Sequence, residues 1–248
     1  MYFFYAALMI VGGFLIGYMV STLIESILHQ KISDAPKKTV NFWMRYPRFF
    51  AIFINANYSH HVIHHRKTFR KNYVTQFEDD QERNALDKVL AARGTHGNII
   101  RKSHYAIKLQ GTGVLVFILP FIPVIALLFT ISPPMFAGAF SVATTLSPLL
   151  NNFIHPYLHM PHEEAIRRAP KGIVLFLKTS YFRKMIRHHY VHHKYVACNF
   201  NLLLGGDWLR QSFRNFFSRR EAAPKHRVNR LPSATDEEEM RKLGLPMY

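Results

Sequence analysis

The chain has little cysteine and little negative charge, and each shortage excludes a class of protein. Its 248 residues include a single cysteine, Cys198, which excludes an intramolecular disulfide, a zinc finger and a cysteine-ligated cluster. Only 15 acidic residues stand against 32 lysines and arginines, which gives a net charge of +17. An excess of this size is typical of chains that bind nucleic acid or an anionic membrane surface.

Charge is also missing from two long apolar runs, which favour the membrane over nucleic acid. Residues 2–28 contain no charged side chain except Glu25, and residues 109–154 contain none. Because about 20 apolar residues cross the hydrocarbon core, we predict one span in the first run. An SPP turn divides the second run into a predicted hairpin of spans at 112–131 and 135–153. The alternatives are a signal peptide, disfavoured because no basic segment precedes the run, and a buried hairpin of a soluble protein.

Lysine and arginine mark the side of the membrane. They crowd residues 31–108 and 163–230 and are missing before the first span and in the hairpin turn. The positive-inside rule therefore places both basic segments in the cytoplasm. Within them, 42–58 and 172–186 mix aromatic, apolar and basic residues, which predicts interfacial amphipathic helices. Amphipathic helices packed on the protein itself are the alternative.

These patterns predict an all-α integral membrane protein with more than one span. We expect one membrane-embedded domain over residues 1–218 and a polar helix over 78–93. The segment 219–248 is charged and contains proline, so a loosely ordered tail is predicted there.

Eleven of the fifteen histidines are concentrated in three short segments. The pattern HHxxHH occurs at 60–65 and again at 188–193, and HPYLHMPH at 155–162 adds three more. Residues at i and i+4 share a helix face, so each segment presents paired imidazoles. Neutral imidazole is a common ligand of zinc, iron and copper. This number of imidazoles exceeds the four ligands of a structural zinc, which predicts a dinuclear site; solvated surface histidines or a lone zinc are the alternatives.

Around a membrane hairpin, the segments HVIHH, HPYLH and HYVHH resemble the histidine boxes of the fatty acid hydroxylase/sterol desaturase superfamily. ESILHQKISD resembles its first box, with Glu25 and His29 in place and Asp34 where the family usually has a histidine. NFNLLLGGDWLRQSF, from Asn199, resembles its Asn-Phe…Asp-x-x-Phe-Gly-Thr segment without the final Gly-Thr. The likeness covers about residues 20–213.

The resemblance implies a helical membrane fold under a cytosolic helical cap that holds a histidine-rich dinuclear metal site. The implied metal ligands are His29, Asp34, His61, His64, His65, His155, His159, His189, His192 and His193. Residues expected to support these ligands without binding metal are Glu25, His60, His188 and Asn199. Asp34 departs from the family pattern, and its alternative role is that of a helix-end residue without metal. His96, His104 and His226 have no partner at ligand spacing, so no site is predicted for them.

The resemblance also implies a reaction. Members use two iron ions and O2 to hydroxylate or desaturate alkyl chains of membrane lipids such as fatty acyl chains or sterols, and recombinant members can carry zinc instead. The chain has no GxGxxG or CxxCH motif, so electrons must come from an external ferredoxin or cytochrome b5-like donor. The basic segment RKTFRK at 66–71 could dock such a donor or bind anionic lipid, and no nucleic-acid partner is expected. The alternatives are a non-catalytic or zinc-binding degenerate relative and a zinc-dependent membrane hydrolase.

Overall fold

All regular elements in the described part of the chain are helices. The computed structural model describes residues 1–65, 79–101, 114–202 and 205–214, and within these ranges the predicted all-α fold is confirmed. The predicted polar helix at 78–93 is present as Asp80–Ala91, and the Asp79 side chain caps it by accepting the backbone N–H of Glu82. The basic segment at 66–71 and the tail at 219–248 lie outside the described residues.

The helices are numbered in chain order, and two of them continue into π-helical turns. The elements are α1 (Tyr2–Leu28), turn π1 (His29–Ser33), α2 (Lys37–Trp43), α3 (Ala51–Asn57), turn π2 (Tyr58–His64), α4 (Asp80–Ala91), α5 (Gly94–Arg101), α6 (Leu115–Ile118), a 3₁₀ turn (Leu119–Phe121), α7 (Ile122–Ile131), α8 (Pro134–Leu158), α9 (His162–Arg168), α10 (Lys171–Leu177), α11 (Ser180–Tyr195) and α12 (Gly206–Leu209).

Helix α1 is long and apolar because its sequence has neither proline nor charge before Glu25. Together with π1 it forms 32 continuous helical residues, Tyr2–Ser33, and among the described residues it is the one helix long and apolar enough to cross a membrane. Its buried residues form a stripe of small and hydroxyl side chains, whereas large residues such as Phe3, Phe4 and Leu15 are exposed. A helix in the core of a soluble protein shows the opposite distribution, with its large apolar side chains buried.

The predicted hairpin at 112–131 and 135–153 is helical on both arms, but neither arm matches α1 as a span. The first arm, Leu115–Ile131, is 17 residues long and is interrupted by the 3₁₀ turn that contains Pro120. The second arm, α8, has 25 residues but carries polar side chains such as Thr144, Ser147 and Asn151 on its buried face. Length and composition therefore distinguish α1 from the two hairpin arms.

Helices α1 and α8 pack closely because α1 has glycine where the two backbones meet. A Cβ added at Gly13 would lie 2.4 Å from the carbonyl oxygen of Phe136, and one at Gly17 would lie 2.8 Å from that of Phe140. Small residues of this kind allow helix backbones to approach directly. The contact aligns the end of α1 with the end of α8, where the histidines lie.

The two segments predicted to be interfacial differ in burial. In 42–58, large side chains between and within α2 and α3 are exposed, among them Tyr46 (57%) and Phe49 (84%). In 172–186, Leu175 is 81% exposed, but Phe182 and Ile186 are fully buried in the core formed by α8, α10 and α11. The second half of that segment thus corresponds to the alternative of a helix packed on the protein.

Candidate metal centre

Four helical ends bring the histidines to one place. Turn π1 supplies His29 and is followed by Asp34, π2 supplies the hexapeptide at 60–65, the end of α8 supplies His155 and His159, and α11 supplies the hexapeptide at 188–193. All ten side chains predicted as ligands converge here. Eight of them, together with His60, form two adjoining groups of donor atoms, called group 1 and group 2 below.

Group 1 consists of one carboxylate and four imidazoles whose ligand atoms all lie within 4.8 Å of one another; its members are His29, Asp34, His60, His65 and His192. The Nε2 atom of His60 lies 2.7 Å from Nε2 of His29 and 3.0 Å from Nε2 of His65. Asp34 is 4% exposed and directs its carboxylate into this cluster. Its Oδ2 lies 3.5 Å from Nε2 of both His29 and His192.

Group 2 consists of imidazoles alone: His64, His155, His159 and His189, again within 4.8 Å of one another. Three of their Nε2 atoms form a triangle, with 3.1 Å between His155 and His189, 3.2 Å between His155 and His159, and 3.0 Å between His159 and His189. A neutral ring nitrogen either carries a proton or a lone pair. Three nitrogens in mutual contact must therefore include at least one pair of the same kind, which hydrogen bonding alone cannot satisfy.

A metal ion resolves this conflict, because all three lone pairs can then point at one cation. Bonds of roughly 2.0–2.1 Å from zinc to imidazole nitrogen place neighbouring nitrogens about 3.3 Å apart at tetrahedral angles. The separations of 3.0–3.2 Å in the triangle are close to that value. The donor set of group 2 thus fits a metal ion in both chemistry and spacing.

The tautomers of two group 1 histidines are fixed by backbone carbonyls. Nδ1 of His29 hydrogen-bonds the carbonyl oxygen of Phe200, and Nδ1 of His192 hydrogen-bonds that of Cys198 at 2.8 Å. Because a carbonyl only accepts, each Nδ1 donates, and the neutral ring then has its lone pair on Nε2. Both lone pairs face Oδ2 of Asp34, which has no hydrogen-bond donor among the described residues. A cation between them would satisfy all three atoms.

Burial keeps these imidazoles neutral, as metal binding requires. Loss of hydration, together with neighbouring imidazoles, places the pKa of His60, His64, His159, His189, His192 and His193 well below the ordinary value. The pKa of His65 falls to about 4, mainly through burial, while the charge of Asp34 opposes the fall.

For the carboxyl group of Asp34, the neighbouring groups outweigh the effect of burial on the pKa. Its burial favours the protonated form, but the hydrogen bond from His61 and the nearby imidazoles of His65, His192 and His29 outweigh it and lower its pKa to about 2. Asp34 is therefore ionised at neutral pH and supplies one negative charge to group 1. This placement differs from the alternative in which Asp34 only ends a helix.

The π-helical turn π2 alters which histidines face inward. In an α-helix, His61 would share a face with His65, but the wider π-helical turn lets His60 meet His65 at i+5. His61 is turned toward the outside, with its side chain 32% exposed and its Nδ1 3.1 Å from Oδ1 of Asp34. His60, predicted only as a supporting residue, is thus a member of group 1, and His61, predicted as a ligand, lies at its edge.

The last predicted ligand, His193, lies between the two groups. Its Nε2 is 3.1 Å from Nε2 of His189 in group 2, and its ring centroid is 4.4 Å from that of His65 in group 1. His64 and His65, which are consecutive in sequence, belong to different groups. The two groups are therefore neighbours in one buried cluster.

The other predicted supporting residues lie behind the ligands. Glu25 accepts hydrogen bonds from the side-chain amides of Asn151 and Asn201. His188 is stacked on Phe213, with its Nε2 3.5 Å from Oδ2 of Asp207. The side chain of Asn199 joins the carbonyl oxygen of His188 to the backbone of Arg214.

Two buried residues that the sequence patterns left unassigned, Asn201 and Asp207, also belong to this polar layer. They are 0% and 1% exposed. An asparagine and an aspartate six residues apart give no periodic signal, although both fall within the NFNLLLGGDWLRQSF segment.

Comparison of the chain with protein-family models, curated proteins and solved structures found no match. The histidine motifs and the geometry of the two groups are therefore the features that bear on function.

Proposed function

We propose that this chain is an O2-dependent di-iron oxidoreductase that hydroxylates or desaturates an alkyl chain of a membrane lipid, such as a fatty acyl chain or a sterol. The proposal includes membership of the fatty acid hydroxylase/sterol desaturase superfamily, which the histidine boxes resemble. The observation that carries it is the pair of adjoining buried donor groups, one with a carboxylate and one purely of imidazole. Nine donors in two clusters exceed the needs of one structural metal ion.

The residues of the site prepare it for two cations. Neutral buried imidazoles offer lone pairs without a proton to displace, and the Asp34 carboxylate offsets part of the positive charge in group 1. Two iron ions held there would supply the electrons that reduce O2 for attack on an unreactive C–H bond. His29, Asp34, His60, His65 and His192 would hold one ion, His64, His155, His159 and His189 the other, and His193 lies between them.

Burial of the ligands also limits access of water. His64, His159, His189 and His192 are each 2% exposed or less. A dry site strengthens the electrostatic interactions within it and protects reactive species from side reactions.

The apolar surface supports a lipid substrate and a membrane location. Helix α1 could cross a bilayer, and both arms of the hairpin expose large apolar residues, including Leu127, Phe129 and Leu149. We propose that the hairpin arms also insert, with the metal centre on the cytoplasmic side as the basic segments predict. An alkyl chain would then reach the cluster at the ends of α1 and α8 from within the bilayer.

Electrons must reach the site from another protein, for which a ferredoxin or a cytochrome b5-like protein is proposed. Within residues 1–65, 79–101, 114–202 and 205–214, the donor clusters that could hold a metal ion consist of eight histidines and one carboxylate. Such ligands hold catalytic iron rather than an electron-transfer cluster of the cysteine-bound type.

The proposal is tested with the purified full-length protein loaded with iron, in the presence of a reductant and candidate lipids. We expect about two irons per chain, O2 uptake that depends on lipid, and a product that has gained one oxygen atom or lost two hydrogen atoms. The His192→Ala variant serves as the inactive control. One tightly held zinc with no O2 uptake under any lipid would contradict the proposal and favour the zinc-binding relative.

Lipid analysis of the producing cell, with and without the gene, identifies the substrate. A lipid that accumulates when the gene is removed, together with loss of its hydroxylated or desaturated partner, would name both substrate and product. If cells that make the protein and cells without the gene had the same lipid composition, lipid oxidation would be contradicted.

A further inference from the structure

A short loop after α11 contacts two group 1 ligands through its backbone. The carbonyl oxygens of Cys198 and Phe200 accept the Nδ1 protons of His192 and His29, which are far apart in the sequence but adjacent in the fold. The direction of a backbone carbonyl is set by the conformation of the loop that contains it, so these two contacts require that the loop be held in place. The residues that hold the loop thereby control the direction of both Nε2 lone pairs.

We propose that Asn201 and Asp207 are positioning residues for a metal ion in group 1, an inference that rests on the proposed metal-dependent function. The two residues form a reciprocal pair. The backbone N–H of Asn201 donates to Oδ2 of Asp207 at 2.7 Å, and the backbone N–H of Asp207 donates to Oδ1 of Asn201, also at 2.7 Å. This pair fixes the chain immediately after Phe200.

The same pair attaches the loop to α1. The side-chain amide of Asn201 donates to the carbonyl oxygen of Thr22 at 2.6 Å, and the hydroxyl of Ser26 donates to Oδ1 of Asp207 at 2.6 Å. Thr22 and Ser26 are one turn apart on one face of α1, and His29 follows at the next turn. The carbonyl of Phe200 is thus held in register with the helix that carries the ligand it orients.

Two residues of the loop have backbone conformations that they would rarely adopt unless the surrounding structure imposed them. Val196 and Asn199 have φ values of 55° and 56°. This left-handed region is costly for a β-branched residue such as valine and persists only when the surroundings impose it. Asn199 contributes by hydrogen bonds to the carbonyls of His188 and Arg214.

Both carbonyl contacts go to group 1, so the loop acts on one of the two donor groups. Residues that orient the second nitrogen of a metal-bound histidine affect affinity by about 10–100-fold when removed. Asn201→Ala should therefore weaken retention of the group 1 ion by about 10–100-fold and leave the group 2 ion unchanged.

The test measures how readily the purified full-length protein loses each bound ion to a chelator of graded concentration, with iron and zinc counted by mass spectrometry. In Asn201→Ala, one ion should leave at a chelator concentration about 10–100-fold lower than in the wild type. Asp207→Asn keeps the side-chain volume and should produce a smaller shift in the same direction. Asn98→Ala, the same substitution at an exposed position of α5, is the matched control.

A double variant identifies which ion is affected. His192→Ala removes the group 1 ion, so adding Asn201→Ala to it should leave retention of the remaining ion unchanged. The inference would be overturned if Asn201→Ala lost both ions equally easily to the chelator, or if it retained both as well as the wild type does. A wild type that holds two ions but oxidises no lipid would overturn the proposed function and leave this inference standing. A wild type without metal would overturn both.

Discussion

The two donor groups are built in different ways. Group 2 draws His155 and His159 from the end of α8, where ordinary i and i+4 spacing places the rings together, His189 from α11, and only His64 from π2. Group 1 draws on π1 and π2, where backbone hydrogen bonds run from i+5 to i, as from the N–H of Asp34 to the carbonyl of His29 at 2.8 Å. Three of the four donors of group 2 thus come from the α-helices α8 and α11, whereas four of the five donors of group 1 lie in or directly after a π-helical turn, where the helix is locally widened.

The groups also differ in charge and support. Group 1 contains the ionised Asp34, and backbone carbonyls orient two of its histidines. Group 2 contains only neutral donors, and all of its members are buried. A cation in group 1 is thus partly neutralised by the protein, while one in group 2 keeps its full charge. The following predictions test this division.

The largest effect is expected from removing one imidazole from each group. His192→Ala should lose the group 1 ion and His64→Ala the group 2 ion, and both variants should lose lipid oxidation, because the reaction needs both sites. Metal content and O2 uptake measure the two effects. His162→Ala is the matched control, since its Nε2 bonds the carbonyl of Leu177 outside the groups. Full activity in either ligand variant would refute the assignment.

Asp34→Asn tests the charge difference directly. The amide keeps the shape of the side chain but removes the negative charge, so we expect retention of the group 1 ion to weaken by more than about 100-fold, beyond the effect of an orienting residue. The group 2 ion should stay. Competition with a chelator measures both, and Asp80→Asn, an exposed aspartate on α4, is the control. If the group 1 ion bound as tightly in the variant as in the wild type, Asp34 would be a helix-end residue without a role in metal binding.

Gly13→Ala tests the packing that aligns the groups, because α1 leads to group 1 and α8 to group 2. The added methyl group would meet the carbonyl oxygen of Phe136, so we expect a loss of about 1–3 kcal/mol in the free energy of unfolding. Gly138→Ala, with nothing within 4 Å of its added Cβ, should cost no stability. Thermal unfolding in detergent compares the two, and equal melting temperatures would contradict the close contact.

We also expect pH to change the stability of the metal-free protein. Folding lowers the pKa values of several buried histidines in both groups, among them His64, His65, His159 and His192, so below about pH 6.5 the unfolded chain binds protons that the folded chain does not. The free energy of unfolding should therefore fall as pH drops, with the contribution of His65 declining until its pKa of about 4. The Asp34 carboxyl group changes the free energy of unfolding only at lower pH, between its ordinary pKa and about 2. Melting temperatures across pH measure this, and metal-loaded protein should resist the decline.

Part of this architecture follows from sequence alone. The HxxxH spacing at 155–159 and the second hexapeptide in α11 predict three of the four donors of group 2 because α-helical periodicity holds there. The uncharged run at 2–28 likewise predicts α1, since length and composition determine a candidate span.

The remainder depends on features that periodicity does not encode. His60 replaces His61 in group 1 because π2 departs from α-helical spacing, which no residue pattern in NYSHHVIHH indicates. The roles of Asn201 and Asp207 require contacts across about 180 residues of sequence, such as that from Ser26 to Asp207. Asp34 stands where the family pattern has a histidine, and only its three-dimensional surroundings place it inside group 1.

Anomalous X-ray diffraction from crystals of the iron-loaded protein, recorded at the iron absorption edge, is the most direct test of the two-group account. We expect two peaks in each chain, one among His29, Asp34, His60, His65 and His192 and one among His64, His155, His159 and His189. A single peak, or two peaks that both lie outside these groups, would contradict the account.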